Sequence, residues 1–240
     1  MGPLLHKHLL GAGVDLPDVF LRQLRLLCLR HRQTNMLLAK ALGEVLNILR
    51  QNGMQALVLK GAALCHVLYP EPGLRPMRDI DLLLAPEDAW EAHALLQKHG
   101  FHDPAVPTPE DHLHLAALYR DIGGVQVCLE VHRHLFPGCP PGYTQLDFAY
   151  LYRNAELFAV EGQPARTLPL EEMLWHLYQH GLHAPLTYEP YKLISIADII
   201  GLVESRLEVM DWMRIKKLYP ELLTALPLLH QVTPWSAAVQ

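Results

Sequence analysis

Asp79 and Asp81 stand two residues apart at the head of an apolar run, Leu82-Leu83-Leu84. In a β-strand residues i and i+2 point to one face, so these carboxylates lie side by side. Like charges that close repel. A divalent cation removes the repulsion, and Mg²⁺ is bound through one or two carboxylates together with substrate phosphates. The plain alternative is an acidic strand entrance on a solvated edge. Downstream, residues 127–134 alternate with period two, which puts Cys128, Glu130, His132 and His134 on one face. A glutamate among apolar residues is costly to bury unless paired or metal-bound. Set beside the aspartate strand, Glu130 becomes a third carboxylate; otherwise it belongs to the polar face of a half-exposed strand.

These side chains need a scaffold. Ala56-Leu57-Val58-Leu59 reads as a short strand and residues 61–69 as a helix, so Lys60-Gly61 lies at a strand-to-helix turn. Glycine lets the backbone approach a phosphate, a helix N-terminus favours an anion, and Lys60 adds a positive charge. A plain turn with a surface lysine is the alternative. Upstream, residues 16–52 carry leucine and valine at helical spacing. Strands are expected over 56–60, 79–85, 112–119 and 125–134, with Gly123-Gly124 turning between the last two. Pro86 opens a helix that runs to His99. Residues 103–110 hold three prolines and read as a loop at the edge of the site. Residues 136–142, rich in proline and glycine, mark a boundary. The expected organisation is an N-terminal helical segment over 1–53, a core over 54–136 and a mainly helical domain over 143–240. The last contains an extended pair around Phe158 and Arg166 and helices at 170–183, 190–206 and 208–218.

Composition narrows the function classes. Of 240 residues half are hydrophobic, enough for a packed core, and the formal net charge is −5. An extended nucleic-acid surface shows as a basic excess, and none is visible. A local basic pocket of Lys60, Arg75 and Arg78 suffices for a triphosphate, although Arg78 alternates with Asp79 and can point to the opposite face. The four cysteines lack C-x-x-C spacing and read as reduced thiols. No signal-peptide pattern and no apolar run of membrane-spanning length is present, so a cytoplasmic protein without membrane contact is expected.

Three segments, Leu59-Lys60-Gly61, Arg75-Pro76-Met77-Arg78-Asp79-Ile80-Asp81-Leu82-Leu83 and Leu129-Glu130-Val131-His132, resemble a bacterial nucleotidyltransferase family. That family is a poorly characterised branch of the DNA polymerase beta-like nucleotidyltransferase superfamily. Leu174-Trp175-His176-Leu177-Tyr178-Gln179-His180 and Ile196-Ala197-Asp198-Ile199-Ile200 are similar to its C-terminal helices. The resemblance covers roughly residues 55–215. It implies an α+β fold with a polymerase beta-like core, a small mixed sheet flanked by helices, with N-terminal helices and a helical C-terminal domain. It also implies transfer of a nucleoside monophosphate from an NTP, with ATP among the donors, to an acceptor hydroxyl. Asp79 and Asp81 would bind two Mg²⁺ ions, Glu130 would complete the metal site, and Lys60, Gly61, Arg75 and Arg78 would contact the nucleotide. The acceptor could be a small molecule, a protein or a tRNA. The chain departs from the superfamily at Ala62, which offers no hydroxyl to the phosphate, and in the longer connection to Asp79.

Among the 15 histidines, His176 and His180 lie one helical turn apart, a spacing zinc sites use, but no glutamate follows His176 as H-E-x-x-H requires. His132, His176 and His180 are accessory candidates, and His112 and His114 alternate on an expected strand. Three other readings stay open: an inactive or weak nucleotide-binding scaffold of the same fold, a toxin-like or maturation enzyme that modifies a tRNA or a protein, and a metal-dependent hydrolase built on the histidines.

Overall fold

The protein, seen in a computed structural model, is described over residues 2–104, 112–136, 146–183, 193–237 and 239. The expected loop at 103–110 and the boundary at 136–142 fall largely outside these residues. The expected N-terminal helical segment comprises helix α1 (Gly2–Gly11), which was not placed individually, and the 34-residue helix α2 (Asp18–Gln51). In α2, Leu38, Leu42, Val45, Leu46 and Leu49 fall on one face and are all buried. That apolar stripe, rather than intrinsic propensity, holds the helix on the sheet.

Among the described residues, six strands form one mixed sheet: β1 (Leu57–Val58), β2 (Asp79–Leu83), β3 (Leu118–Ile122), β4 (Val125–His132), β5 (Glu156–Val160) and β6 (Gln163–Thr167), in the order β3-β4-β2-β1-β6-β5. β2 lies parallel to β4, while β1 is antiparallel to β2 and parallel to β6. The sheet therefore extends past residue 143: the extended pair around Phe158 and Arg166 joins the core through β6. The strand expected over 112–119 is shifted. Gly123 and Gly124, both at positive φ, make a two-residue turn that pairs Ile122 with Val125 and draws β3 up to the turn. Of the earlier stretch, His114 makes an isolated bridge to His132.

Alternation divides the sheet into two faces. Ile80, Leu82, Val127, Leu129 and Val131 pack with α2 and with α4 (Pro86–Lys98) in one buried cluster. Leu57, Leu59 and Leu83 pack on the other side with α6 (Leu170–Tyr178) and α7 (Leu193–Arg206). The same face carries Asp79, Asp81, Glu130 and His132. Helix α3 (Lys60–Val67) follows β1 directly, and the short helix α5 (Phe148–Arg153) precedes β5. α6 continues as a π turn over Gln179–His183, and α8 (Trp212–Leu218) and α9 (Pro220–Val232) close the chain. Fully buried Glu172 of α6 fastens α8, accepting hydrogen bonds from Arg214 and from the Tyr219 hydroxyl. Among the described residues, no helix is long and apolar enough to cross a membrane.

Candidate active site

The parallel register of β2 and β4 sets Asp79 opposite Cys128, Asp81 opposite Glu130 and Leu83 opposite His132. The alternation of each strand turns these residues to one face. Asp81 is the centre. It is fully buried, and one carboxylate oxygen, Oδ1, accepts both from Lys60 Nζ at 2.6 Å and from His132 Nε2 at 2.9 Å. Its other oxygen, Oδ2, is buried with no hydrogen-bond partner among the described residues. Burial pushes the Asp81 carboxyl up, but the His132 hydrogen bond and the Lys60 charge outweigh it and hold it far below the usual carboxylate range. For Asp79, half-buried beside it, burial and the Asp81 charge together raise the carboxyl from its ordinary value. Burial alone would lower the His132 imidazole; its hydrogen bonds to Asp81 and Glu130 leave it raised.

Among the described residues, Asp81, Glu130 and His132 form a group of donors, each offering one atom within 4.8 Å of the others. His132 was expected only as an accessory; Asp79 stands beside this group. Glu130 is half-buried, with Oε2 3.4 Å from His132 Nε2 and 3.7 Å from His114 Nε2. This donor set fits a divalent cation: three carboxylates share one face, one buried oxygen is bare, and positive side chains crowd the other.

Lys60 reaches Asp81 because the backbone turns sharply there. The Leu59 N–H donates to the Asp81 carbonyl at 2.9 Å, and Lys60 then adopts φ 47°, a left-handed conformation rare for a residue with a side chain. Such a conformation costs on the order of 1–3 kcal/mol and persists only where its surroundings impose it. Gly61 has a further reason, beyond the one expected. A Cβ there would stand 2.1 Å from Arg75 Nη1, so glycine makes room for an arginine.

Arg75 is itself committed. Its Nη2 donates to Asp198 Oδ2 at 2.7 Å, its Nε reaches both oxygens of Asp198, and its Nη1 donates to the Pro76 carbonyl at 3.1 Å. The Tyr69 hydroxyl donates to Asp198 Oδ1 at 2.6 Å. Arg75 is therefore brought to the underside of the Lys60-Gly61 turn, held by α7. Arg78 is exposed and alternates away from Asp79; its charge helps depress His31 of α2, after burial and Arg30. It is not brought to the acidic face. His176 lies buried near the site: burial first, then the Lys60 charge, push its imidazole well below the ordinary value, so it stays neutral. His180 stands beside it, with ring centres 6.2 Å apart.

Two residues were not assigned roles from sequence. His114 alternates with His112, but only the bridge to His132 shows that it faces Glu130. Asp198 carries a signal in being the one charged residue between Leu193 and Val203, in an otherwise apolar helix, which demands a buried partner.

With this geometry in view, the chain can be set against known proteins. The model of a family described as "Uncharacterised nucleotidyltransferase" matches residues 1–231. The chain belongs to that family. Its mixed α+β architecture is similar to that of an antigenic nucleotidyltransferase-like protein from Paracoccidioides brasiliensis, with a TM-score of 0.54 and 20% identity over 82% of this chain and 89% of that one. A weaker similarity, with a TM-score of 0.49 and 15% identity over 78% of this chain and 98% of the other, links it to ANT(2")-Ia, solved in complex with adenylyl-2"-tobramycin. No curated protein matches the sequence. For this nucleotidyltransferase the family supplies the class of enzyme, the transfer of a nucleotidyl group.

Proposed function

We propose that the protein is a Mg²⁺-dependent transferase that moves a nucleoside monophosphate from an NTP to an acceptor hydroxyl by a two-metal route. The observation that carries this reading is the Asp79–Asp81 pair in register with Glu130, around a buried carboxylate oxygen without a partner. Asp79, Asp81 and Glu130 would hold the ions. When bound, such ions neutralise the triphosphate and the leaving pyrophosphate during in-line displacement.

The chain's own residues supply the rest. Lys60, once released from Asp81, is the cation nearest the acids and binds phosphate. The backbone N–H groups at the start of α3 offer donors to an anion. Glu130, less buried than Asp81, is the carboxylate placed to accept the proton of the acceptor hydroxyl. Arg75 acts by position: it braces the Lys60-Gly61 turn against Asp198. The acceptor is a small molecule, a protein or a tRNA, and the net charge of −5 supports one without an extended duplex.

A second reading, a nucleotide-binding scaffold with weak or no transfer, is favoured by one observation. Arg75 is committed to Asp198 and Ala62 has no hydroxyl, which leaves Lys60 as the main side chain for phosphate. A thermal-shift panel of ATP, GTP, CTP and UTP, each with and without Mg²⁺, tests the site on the wild type and Asp79→Asn. A rise in melting temperature that needs both nucleotide and metal and disappears in the variant is expected, because a ligand bound only by the native state stabilises it. No shift with any of the four overturns both readings. A shift without pyrophosphate release in the presence of candidate acceptors selects the scaffold.

A further inference from the structure

We propose that the first half of α2 is a docking seam for an acidic amphipathic helix of a partner protein.

The seam is set by spacing. Val19, Leu26, Leu29 and Met36 recur at intervals of seven, three and seven, the a and d positions of a coiled-coil heptad. All four are between 55% and 70% exposed. α2 meets the rest of the molecule through its opposite side, where Leu24, Asn35, Leu38 and Leu42 are buried. Leu27 turns to α1: a Cβ on Gly2 would stand 3.1 Å from Leu27 Cδ1. Neither contact uses the exposed stripe. Among the described residues, half of the large apolar side chains that lie exposed fall between Leu5 and Met36. Apolar surface gathered in one place, rather than scattered singly, marks an interaction site. From Val19 to Met36 the stripe runs about 26 Å, room for roughly five turns of a second helix.

Charge selects the occupant. Arg25 and Arg32 stand beside the stripe on one edge and Arg30 on the other, the positions at which paired helices choose their partners. Lys7 of α1 joins Arg25, Leu29 and Arg32 around a groove of about 280 Å³ between the two helices. Residues 1–36 hold Lys7, Arg22, Arg25, Arg30 and Arg32 against Asp15 and Asp18, although the whole chain carries −5. Of these five cations only Arg32 has an acidic partner among the described residues, Glu71 at 3.2 Å. Glutamates flanking the apolar stripe of a partner helix answer the others. A second copy of this chain would match the apolar spacing but set arginine against arginine. A lipid surface takes a wide apolar face, whereas two positions in seven, with Arg22 and Gln33 among them, make the narrower seam of helix pairing. Single-stranded RNA is held by stacking on aromatic rings, and this seam is aliphatic.

The seam ends beside the site. Asn35, next to Met36, donates to the Pro72 and Arg75 carbonyls at 2.7 and 2.8 Å and accepts from the Met77 N–H at 3.3 Å. A docked helix therefore lies against the element that holds the approach to Asp79.

The test uses full-length protein and a fluorescein-labelled synthetic helix of four heptads, with Leu at a and d and Glu at e and g, followed by fluorescence anisotropy. Saturable binding that weakens with salt is expected, and none by the same helix with Lys at e and g. Leu26→Gln with Leu29→Gln, both at exposed positions, should weaken binding by about tenfold or more without lowering the melting temperature. Arg25→Glu with Arg30→Glu should reverse the preference, taking the Lys helix and releasing the Glu helix. No binding of the Glu helix, equal binding of the two helices, or wild-type affinity in the folded leucine variant would overturn the inference. A single-stranded RNA oligonucleotide, vesicles of phosphatidylserine and phosphatidylcholine, and sedimentation velocity of the protein alone examine the other occupants. RNA or vesicles held more tightly than the Glu helix, or self-association abolished in the leucine variant, would replace the acidic helix by that occupant.

Discussion

Asp198 and Asp81 are both fully buried and both meet a cation, yet they are finished differently. Asp198 gives both oxygens to the edge of Arg75 and takes the Tyr69 hydroxyl as well. Asp81 crowds Lys60 and His132 onto one oxygen and leaves the other bare. The first is a closed fastening between α7 and the segment before β2. The second keeps coordination in reserve. A bare oxygen is not itself the mark, since Glu172 Oε2 also lacks a partner among the described residues. What separates Asp81 is its company: Asp79 beside it, Glu130 in register, and the His132 imidazole within ligand distance. A buried carboxylate surrounded by other acids gains stability only when a cation arrives, whereas one answered by an arginine is already complete.

Neutralising each carboxylate tests that difference. Asp81→Asn should remove about 4 kcal/mol or more of transition-state stabilisation, roughly a thousandfold in rate. Its stability should fall as well, because His132 and Lys60 hold Asp81 charged, but by less than in Asp198→Asn, since Lys60 keeps the charges of Glu130 and Asp79. In Asp198→Asn the loss of stability is the larger effect. The substitution leaves Arg75, only 12% exposed, without its charge partner, and breaking such a pair costs about 3–5 kcal/mol. A chain of this size then melts about 10 °C lower. Denaturant midpoints of the two variants decide the matter: equal losses of stability would remove the distinction between fastening and reserve.

Lys60→Met probes the reserve itself. If the ammonium holds the place of a cation, removing it should tighten Mg²⁺ in the absence of nucleotide by roughly tenfold, the scale of a partly buried pair at ~1–2 kcal/mol. It should also weaken the triphosphate. Isothermal titration with Mg²⁺ alone and then with nucleotide separates the two effects. Tighter nucleotide binding in the variant would mean that Lys60 is a structural counter-ion and nothing more.

The closed and open carboxylates also differ in how far they could be read from sequence. Period-two alternation is local, so Asp79 and Asp81 on one face, and Glu130 with His132 on another strand, follow from spacing alone. The Lys60-Gly61 turn is local too. Arg75 was expected to contact the nucleotide, and its pairing with Asp198 was not foreseen, because that partner lies 123 residues away. No spacing rule reports that distance, and the same separation gave Gly61 an unforeseen reason. His114 depended on the register of an isolated bridge, and β5 and β6 on a pairing across the whole core. The sheet's helical cover was legible as amphipathic stripes, while α1 and α9 fall in segments expected to be helical but were not bounded individually. Local chemistry is written in neighbours; its bracing is written in residues that only folding brings together.

Cys128 offers the smallest test and a direct one, because it is the register partner of Asp79. Its thiol is pushed up to about 11, first by burial, against a hydrogen bond from Tyr119 that lowers it, and then by the charges of Glu130, Asp79 and Asp81. At pH 8.5 only a small fraction is thiolate, and the thiolate is the species that alkylating reagents attack. A cation bound to those carboxylates cancels their contribution, so the thiol acidifies and alkylation at Cys128 speeds up. Cys65 is held up to about 12 chiefly by burial and does not touch the acid cluster, so it should stay slow with or without metal. Peptide-resolved iodoacetamide labelling, with Cys65 as internal control, should show a severalfold acceleration at Cys128 on adding Mg²⁺ or Zn²⁺, absent in Asp81→Asn. The sign is what matters. Slower labelling of Cys128 in metal would mean that the ion shields the thiol or sits elsewhere, and the acid face of β2 and β4 would then be a fastening like Asp198 rather than a site held open.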